Sequence, residues 1–404
     1  MHILYLHQHF STPRGSVGTR SYEMARALIA DGHSVTVVCG SYSTANTGLE
    51  NEFCRGKRTG VLDGIQIIEL AIPCSNSSSF FSRIWSFASF SIRSCWLALT
   101  AKYDLIFATS TPLTVAVPGL VGKWIRRKRF IFEVRDLWPE LPKQMGVIKN
   151  PLLLFLMRLL EKSAYRSADH CIGLAPGIVQ AIAKDINPSK VSLIPNGCDL
   201  DLFNQDKVHA SQQSLSKLQT KFTIVFTGTH GQANGVGAIL DVAALLQDRE
   251  EISFLLVGDG ALKPDLVESS KRRKLKNVYF ESPLPKNSLA ELLPECSVGL
   301  QVLANFPAFY YGTSPNKFFD YIASGLPVIT NYPGWIADLI NEYNCGIAVR
   351  PDDTEAFAHA IITIINSPDL MKKMGECSRK LAEKQFNRSA QAQMLVDVIQ
   401  TSVH

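Results

Sequence analysis

Short apolar runs alternate with amphipathic stretches along the whole chain. ILYL, at residues 3–6, reads as a buried strand, and the loop STPRGSVG after it is rich in turn formers. SYEMARALIADGH then has helical spacing, with Tyr22, Ala25, Leu28 and Ile29 on one face and Gly32 at its C-terminal end. SVTVVCG is the next strand. Strand, helix, strand in that order is a βαβ unit and predicts a parallel sheet. The rhythm continues through the strands GIQIIEL, YDLIFATS, RFIFEVRD, HCIGLAP and KVSLIPNG. Helices are predicted over PLTVAVPGLVGKWIRR, over PLLLFLMRLLEKSAYRSA, and from about Ile178.

A polar, weakly patterned stretch, NQDKVHASQQSLSKLQT, then interrupts the alternation and reads as a linker. Beyond it KFTIVFTG restarts the pattern, followed by a helix over GVGAILDVAALLQ and five further strands in ISFLLVGDG, NVYFES, SVGLQVL, PVITN and GIAVR. The last helices, from Pro368, have no strand after them. The expected fold class is therefore α/β, with two Rossmann-like domains of parallel strands facing each other across an inter-domain cleft. The expected boundaries are 1–205 for the first domain and 206–380 for the second, with a C-terminal helix at 381–404 packing back towards the first. A chain of 404 residues suits two domains, because single cores stop growing at about 250–300 residues. Open parallel sheets bind ligands outside the carboxyl ends of their strands, so those ends are where chemistry is sought.

Composition adds three points. Hydrophobic residues are 46% and charged residues 19% of the chain, which excludes a disordered protein. Residues 1–205 hold 22 Lys/Arg against 15 Asp/Glu, and residues 206–404 hold 19 against 21. The first half is thus the one suited to an anionic surface, unless the excess is only a solvated face. The nine cysteines form no C-x-x-C pair, which points to a reducing compartment rather than a disulfide frame or a zinc site. No signal peptide is recognisable at the start, and no uncharged apolar run reaches about 18 residues. Residues 80–99 combine Phe80, Phe81, Trp85, Phe87, Phe90 and Trp96 with Arg83 and Arg93, and KWIRRKR holds five basic residues in seven. That mixture suits a membrane interface, or else a core helix with a solvated loop.

Several strand ends carry candidate chemistry. Gly15 and Gly18, between the first strand and helix, would let backbone approach an anion. Glu133, Arg135, Asp136 and Glu140 crowd the end of FEVRDLWPE. In TGTHG, Gly228, Thr229, His230 and Gly231 can wrap N–H groups around a diphosphate, with His230 reaching the phosphate or the sugar. Gly258-Asp259-Gly260 is either a tight turn or a nucleotide-facing loop. SPNKFFDYIASGLPVI starts a helix at Ser314 and Pro315, and Asn316 and Asp320, four apart, share a face with Lys317 close by. A cation, free N–H groups and a carboxylate there suit phosphate and ribose. Asp199-Leu200-Asp201 spells D-x-D, but Lys317 and loop N–H groups can balance a leaving diphosphate, so no metal and no cofactor are expected.

With these motifs in order, the chain resembles the family-4 retaining glycosyltransferases of GT-B fold, and among them bacterial O-antigen and capsule enzymes of the N-acetylfucosamine-transferase type. The segments that carry the likeness are PRGSVGTRSYEMARALIADGHSVTVV, FEVRDLWPELP, IPNGCDLDLF, TGTHGQANG, LLVGDGALKP, AFYYGTSPNKFFDYIASGLPVITNYPGW and VRPDDTEAFAHAI. The resemblance implies transfer of a sugar from a UDP-sugar with retention at the anomeric carbon. The sugar would be an N-acetylated hexosamine or 6-deoxyhexosamine, such as N-acetylfucosamine. The acceptor would be a polyprenyl-diphosphate-linked saccharide at the cytoplasmic face of the inner membrane, with no nucleic-acid partner. Asp320 stands where the family's second E-x7-E acid holds the ribose, with Asn316 and Lys317 towards phosphate. Leu284 falls in the loop that contacts the base, and Gly15–Gly18 in the loop that closes over the donor. Asp136, Glu133, Arg135 and His230 are the catalytic candidates, with Asp136 or Glu133 orienting the acceptor hydroxyl. Three departures follow. Gly312 occupies the place of the first E-x7-E acid, which moves sugar contacts to Thr313 or Ser314. GTHGQANG lacks the family's Arg and Lys. Arg135-Asp136 replaces His-Asp. A sugar-nucleotide 2-epimerase, also of two Rossmann-like domains, and a non-catalytic nucleotide-sugar-binding protein remain as alternatives.

Overall fold

The computed structural model describes residues 1–75, 79–203 and 220–402. Nearly all of the expected linker, 204–219, lies outside the described residues. Contacts divide the chain into two compact units. The first is Met1–Asn196 with Tyr311–Ser314 and Arg388–His404; the second is Gly197–Tyr310 with Pro315–Asn387.

The first unit runs β1 (His2–Leu6), α1 (Arg20–Ala30), β2 (Ser34–Tyr42), β3 (Lys57–Leu62), β4 (Ile65–Cys74), α2 (Phe80–Thr100) and β5 (Leu105–Thr109). It continues with α3 (Ala116–Trp124), β6 (Arg129–Val134), α4 (Glu140–Gln144), α5 (Pro151–Ser167), β7 (His170–Gly173), α6 (Pro176–Ala183) and β8 (Val191–Leu193). Its strands lie in the order β3-β4-β2-β1-β5-β6-β7-β8. All neighbours are parallel except β3 and β4. The hydrophobic pattern missed β3 because KRTGVL is an edge strand with every second residue in solvent, so it shows no apolar run.

The second unit holds β9 (Phe222–Thr227), α7 (Gly237–Leu245), β10 (Ile252–Val257), α8 (Lys263–Arg272), β11 (Val278–Glu281), α9 (Lys286–Leu292) and β12 (Val298–Gln301). After them come α10 (Pro307–Gly312), α11 (Asn316–Ala323), β13 (Val328–Thr330), α12 (Trp335–Tyr343), β14 (Gly346–Ala348), α13 (Thr354–Ile365) and α14 (Pro368–Gln385), while α15 (Arg388–Thr401) and the end of α10 from Tyr311 belong to the first unit. Its sheet order, β11-β10-β9-β12-β13-β14, is wholly parallel and reverses direction between β9 and β12. Such a reversal opens a crevice at the strands' carboxyl ends. The sheet of the first unit reverses in the same way between β1 and β5.

Each sheet is buried by its own helices. In the first unit Ile3, Tyr5, Val37 and Phe107 meet Leu28 of α1 and Leu395, Val396 and Ile399 of α15. In the second, Ile224, Phe254 and Leu300 meet Ile239 of α7 and Ile361 of α13. The expected cut at 380 falls inside α14, and the helix that joins the first unit is α15, which packs on α1. None of the nine cysteines is in a disulfide.

Candidate functional site

In the second unit the turns after β9 and β10 touch backbone to backbone. A Cβ on Gly258, at φ +151°, would lie 1.8 Å from the Gly228 carbonyl oxygen, so only glycine fits there. The Gly258-Asp259-Gly260 turn therefore holds the β9 loop in place. Asp259 accepts from the His230 N–H at 2.9 Å and leaves its own side chain in solvent. The His230 ring is fully buried between Phe226 and Phe280, with centroids 5.9 and 6.0 Å away. Burial, aided by Lys263, pushes its pKa down to about 4, so the ring is neutral. Neither ring nitrogen has a hydrogen-bond partner among the described residues.

Lys317, on the first turn of α11, crosses to this loop. Its ammonium donates to Asn234 Oδ1 at 2.6 Å and lies 4.4 Å from the centre of the Phe226 ring. A Cβ on Gly228 would stand 3.2 Å from Lys317 Cε. Among the described residues no carboxylate pairs with this ammonium, and burial alone lowers its pKa to about 7. The start of α11 has no side-chain cap, which leaves the N–H groups of Asn316 and Lys317 for an anion, whereas the Phe318 N–H donates to the Pro315 carbonyl. Gly228, Thr229, His230 and Lys317 thus converge at the crevice between β9 and β12, but the Gly228 and His230 N–H groups already donate to the Val257 and Asp259 carbonyls, so the expected cradle of loop N–H groups gives way to the Lys317 ammonium and the start of α11. Asn234 was not singled out from the sequence; its polar position within the glycine loop TGTHGQANG was the available signal.

Asp320 departs from expectation. It is buried, and its carboxylate takes the Lys286 ammonium, which also stands 3.3 Å from Asp199. The carboxylate is neutralised from within its own unit rather than held open for ribose. The same pair explains the D-x-D: Asp199 faces a lysine. Leu284 is half-buried in the loop from β11 to α9, two strands away from β9.

The other expected donor contacts belong to the first unit. Gly15 is packed into its own loop, where a Cβ would lie 2.2 Å from Ser11 Oγ and 2.8 Å from Asn46 N. Gly18 is half-buried just before Thr19, the residue that precedes α1. Thr313 is buried, and Ser314 accepts from the Asn196 N–H at 2.9 Å through Oγ and from Asn196 Nδ2 at 2.6 Å through its carbonyl. The contact division thus separates Thr313 and Ser314 from Asn316, Lys317 and Asp320.

At the carboxyl ends of β1, β5 and β6 a second polar cluster forms. Arg135 meets His7 Nε2 at 3.2 Å and donates its backbone N–H to Ser110 Oγ at 3.0 Å. Thr111 donates to Asp136 Oδ2 at 2.8 Å. Burial raises the Asp136 pKa, and burial together with Arg135 holds His7 well below its usual value. Arg135 and Asp136 therefore border the β1–β5 crevice. Glu133, beside them in sequence, does not. It is wholly buried and accepts from Arg20 at 2.8 and 3.0 Å and from Thr109 at 2.6 Å. Burial would raise its pKa, but Arg20 and Arg135 outweigh that and lower it. Glu133 is a structural counter-ion, out of reach of a substrate.

His230 gives a test. Replacing it by Phe removes two unsatisfied ring nitrogens, so the free protein should melt no lower than the wild type. Affinity for UDP should fall by about 3- to 30-fold if a ligand supplies the missing partner. Unchanged affinity in calorimetry would leave the ring a packing role alone.

Comparison with known proteins agrees with this geometry. Residues 17–202 match the family model described as Glycosyltransferase Family 4, and residues 221–367 the one described as Glycosyl transferases group 1. The O-antigen chain mannosyltransferase C of Escherichia coli is 24% identical over 246 residues, 59% of this chain and 62% of that protein. A second Escherichia coli relative, UDP-Gal:alpha-D-GlcNAc-diphosphoundecaprenol alpha-1,3-galactosyltransferase, is 22% identical over 210 residues, 48% of this chain and 50% of that protein. The matches thus span less than two thirds of these relatives' own length. Among solved structures, Anabaena HepE in complex with UDP-glucose superposes with a TM-score of 0.70 at 16% identity, over 99% of this chain and 100% of that one. The two family models lie in tandem, one in each half, and the whole-length structural match shows the fold: the chain is built of a Glycosyltransferase Family 4 region followed by a Glycosyl transferases group 1 region and has the GT-B fold.

Proposed function

We propose that the chain transfers a sugar, with retention, from a UDP-sugar to a lipid-linked saccharide during synthesis of a surface polysaccharide. The observation that carries the donor half is the Lys317 ammonium. A half-buried ammonium with no carboxylate partner among the described residues favours an anionic ligand. A diphosphate in the β9–β12 crevice would supply that charge and also meet the N–H groups of Asn316 and Lys317 at the start of α11. That HepE was solved with UDP-glucose supports the donor class. The relatives named for O-antigen mannose transfer and for a GlcNAc-diphosphoundecaprenol acceptor support the acceptor class. Within it, N-acetylfucosamine or a related N-acetylated sugar is the donor sugar we favour. The site of work is the cytoplasmic face of the inner membrane.

In the proposed reaction an acceptor hydroxyl attacks the anomeric carbon on the face from which UDP departs. The bond from that carbon to the β-phosphate oxygen breaks, the bond to the acceptor oxygen forms, and the hydroxyl proton passes to the departing phosphate. Lys317 steadies the charge left on the diphosphate. Arg135 and Asp136 are the acceptor-side groups, with Asp136 accepting from the acceptor hydroxyl or steadying positive charge at the anomeric carbon.

Calorimetry with UDP, GDP and free phosphate tests the donor half: UDP should bind, and Lys317→Ala should not bind it comparably. The reaction is proposed to need no metal, because Asp199 already faces Lys286. Turnover should therefore persist in excess chelator, whereas loss of activity restored by a divalent ion would overturn that part.

A further inference from the structure

The first unit carries an apolar face that its own core does not use. α3 packs against both α2 and α5, so the three helices form one layer on the sheet. α2 and α5 each follow a parallel strand, and so begin at the sheet's carboxyl edge. Their opening turns point large side chains into solvent. Phe81 is 82% and Trp85 74% exposed on α2, and Leu152 is 65% and Phe155 63% exposed on α5. Ile84 continues the first set, and Leu156 and Leu159 the second. The spacing is three and four residues, which makes a second helical stripe on the side away from the core. Exposed apolar stripes on two helices that open at the same edge of the sheet mark an interaction site.

Charge identifies the partner. Residues 70–103, 105–132 and 141–160 contain no Asp or Glu. Arg83, Lys149 and Arg158, on or beside the opening turns of α2 and α5, are all exposed. Glu140, nearby, stands 3.7 Å from Arg158 and 3.8 Å from Lys143, so it is already compensated. Apolar and aromatic side chains set among basic ones, without acids, suit the headgroup layer of an anionic bilayer. A second copy of this chain would bring the same positive charge against itself. Among the described residues no helix is long and apolar enough to cross a membrane, so the contact would lie in one leaflet.

The face also borders the β1–β5 crevice. Phe87 of α2 stands edge-on to His9, with centroids 6.4 Å apart. His9 lies two residues from His7, the partner of Arg135.

We propose that the first turns of α2 and α5 dock this unit on an anionic bilayer, their apolar side chains at the acyl boundary, and that the lipid-linked acceptor reaches Arg135 and Asp136 from that bilayer. The second clause rests on the proposed transferase reading; the docking rests on the face alone.

Flotation of the full chain with vesicles tests it, using phosphatidylcholine alone and phosphatidylcholine mixed with phosphatidylglycerol. Wild type should float with the mixed vesicles and keep part of its binding at high salt, because the apolar contact is not screened. The variant Leu152→Ser/Phe155→Ser/Leu156→Ser should bind at least about tenfold more weakly. Its UDP affinity should be unchanged, because that site lies in the other unit. Brominated lipid should quench tryptophan fluorescence in wild type, and less of it in Trp85→Phe. Wild type that fails to float, or a triple variant that floats like wild type, overturns the docking. A concentration-dependent dimer that the triple variant abolishes, with no vesicle binding, also overturns it and makes the face a contact between copies. If flotation fails while UDP binding and transfer to a soluble acceptor persist, only the docking falls. If flotation holds and UDP does not bind, the transferase reading falls instead.

Discussion

Arg20→Met should destabilise the first unit by about 3–5 kcal/mol, the usual cost of removing one partner from a buried ion pair. Arg20 is 1% exposed and donates to Glu133 twice and to the carbonyls of Ile194 at 2.9 Å and Pro195 at 2.6 Å. It therefore ties α1 to the end of β6 and to the segment after β8. Without it, Glu133 keeps Thr109 and a weaker contact with Arg135 at 3.4 Å. Adding Glu133→Gln should recover part of the loss, because the stranded charge is gone. The pH dependence has a definite sign. The folded pKa of Glu133 lies below its unfolded value. Its contribution is present above the ordinary carboxylate pKa and is lost as pH falls through the folded one. Denaturant unfolding of the two variants decides the matter; a single variant within about 1 kcal/mol of wild type contradicts the assigned role.

Lys317→Ala should weaken UDP binding by about 2–3 kcal/mol, the range for a hydrogen bond to a charged group, or roughly 30- to 150-fold. The free lysine has a pKa near 7 because burial disfavours its charge, whereas a bound diphosphate favours it. UDP should thus bind with proton uptake, and wild-type affinity should decline as pH rises from 7 to 9. Lys317→Arg keeps its charge at every accessible pH and should flatten that decline. Calorimetry in two buffers of different ionisation enthalpy measures the uptake. The same pH dependence in wild type and both variants would remove Lys317 from the phosphate site.

These two residues show what local spacing reveals and what it hides. The place of Lys317 on the first turn of α11 was legible because a helix start, a lysine and a following glycine cap fall within one short segment. Glu133 was misread because its partner, Arg20, lies 113 residues away. Charge at a strand end looks like a ligand until a distant counter-ion is found beside it. The ion pair of Asp320 was hidden for the same reason, with Lys286 34 residues earlier in the chain. The strands of both sheets were legible because parallel strands buried on both faces are unbroken apolar runs. β3, which is half exposed, lacks that run. Residues 80–99 stood out by their aromatic and basic content as a candidate interface or else a core helix, but the matching stripe on α5 emerges only when exposure shows which leucines the core leaves outside.

The central claim is transfer of a sugar from a nucleotide donor to a lipid-linked acceptor. The most direct test incubates the protein with UDP-sugars and a polyprenyl-diphosphate-linked N-acetylhexosamine, following both UDP release and acceptor mass. The predicted result is one added glycosyl residue per UDP released, with the donor's anomeric configuration retained. A UDP-sugar that is bound but returned unchanged, or returned as its epimer with no gain in acceptor mass, would contradict it.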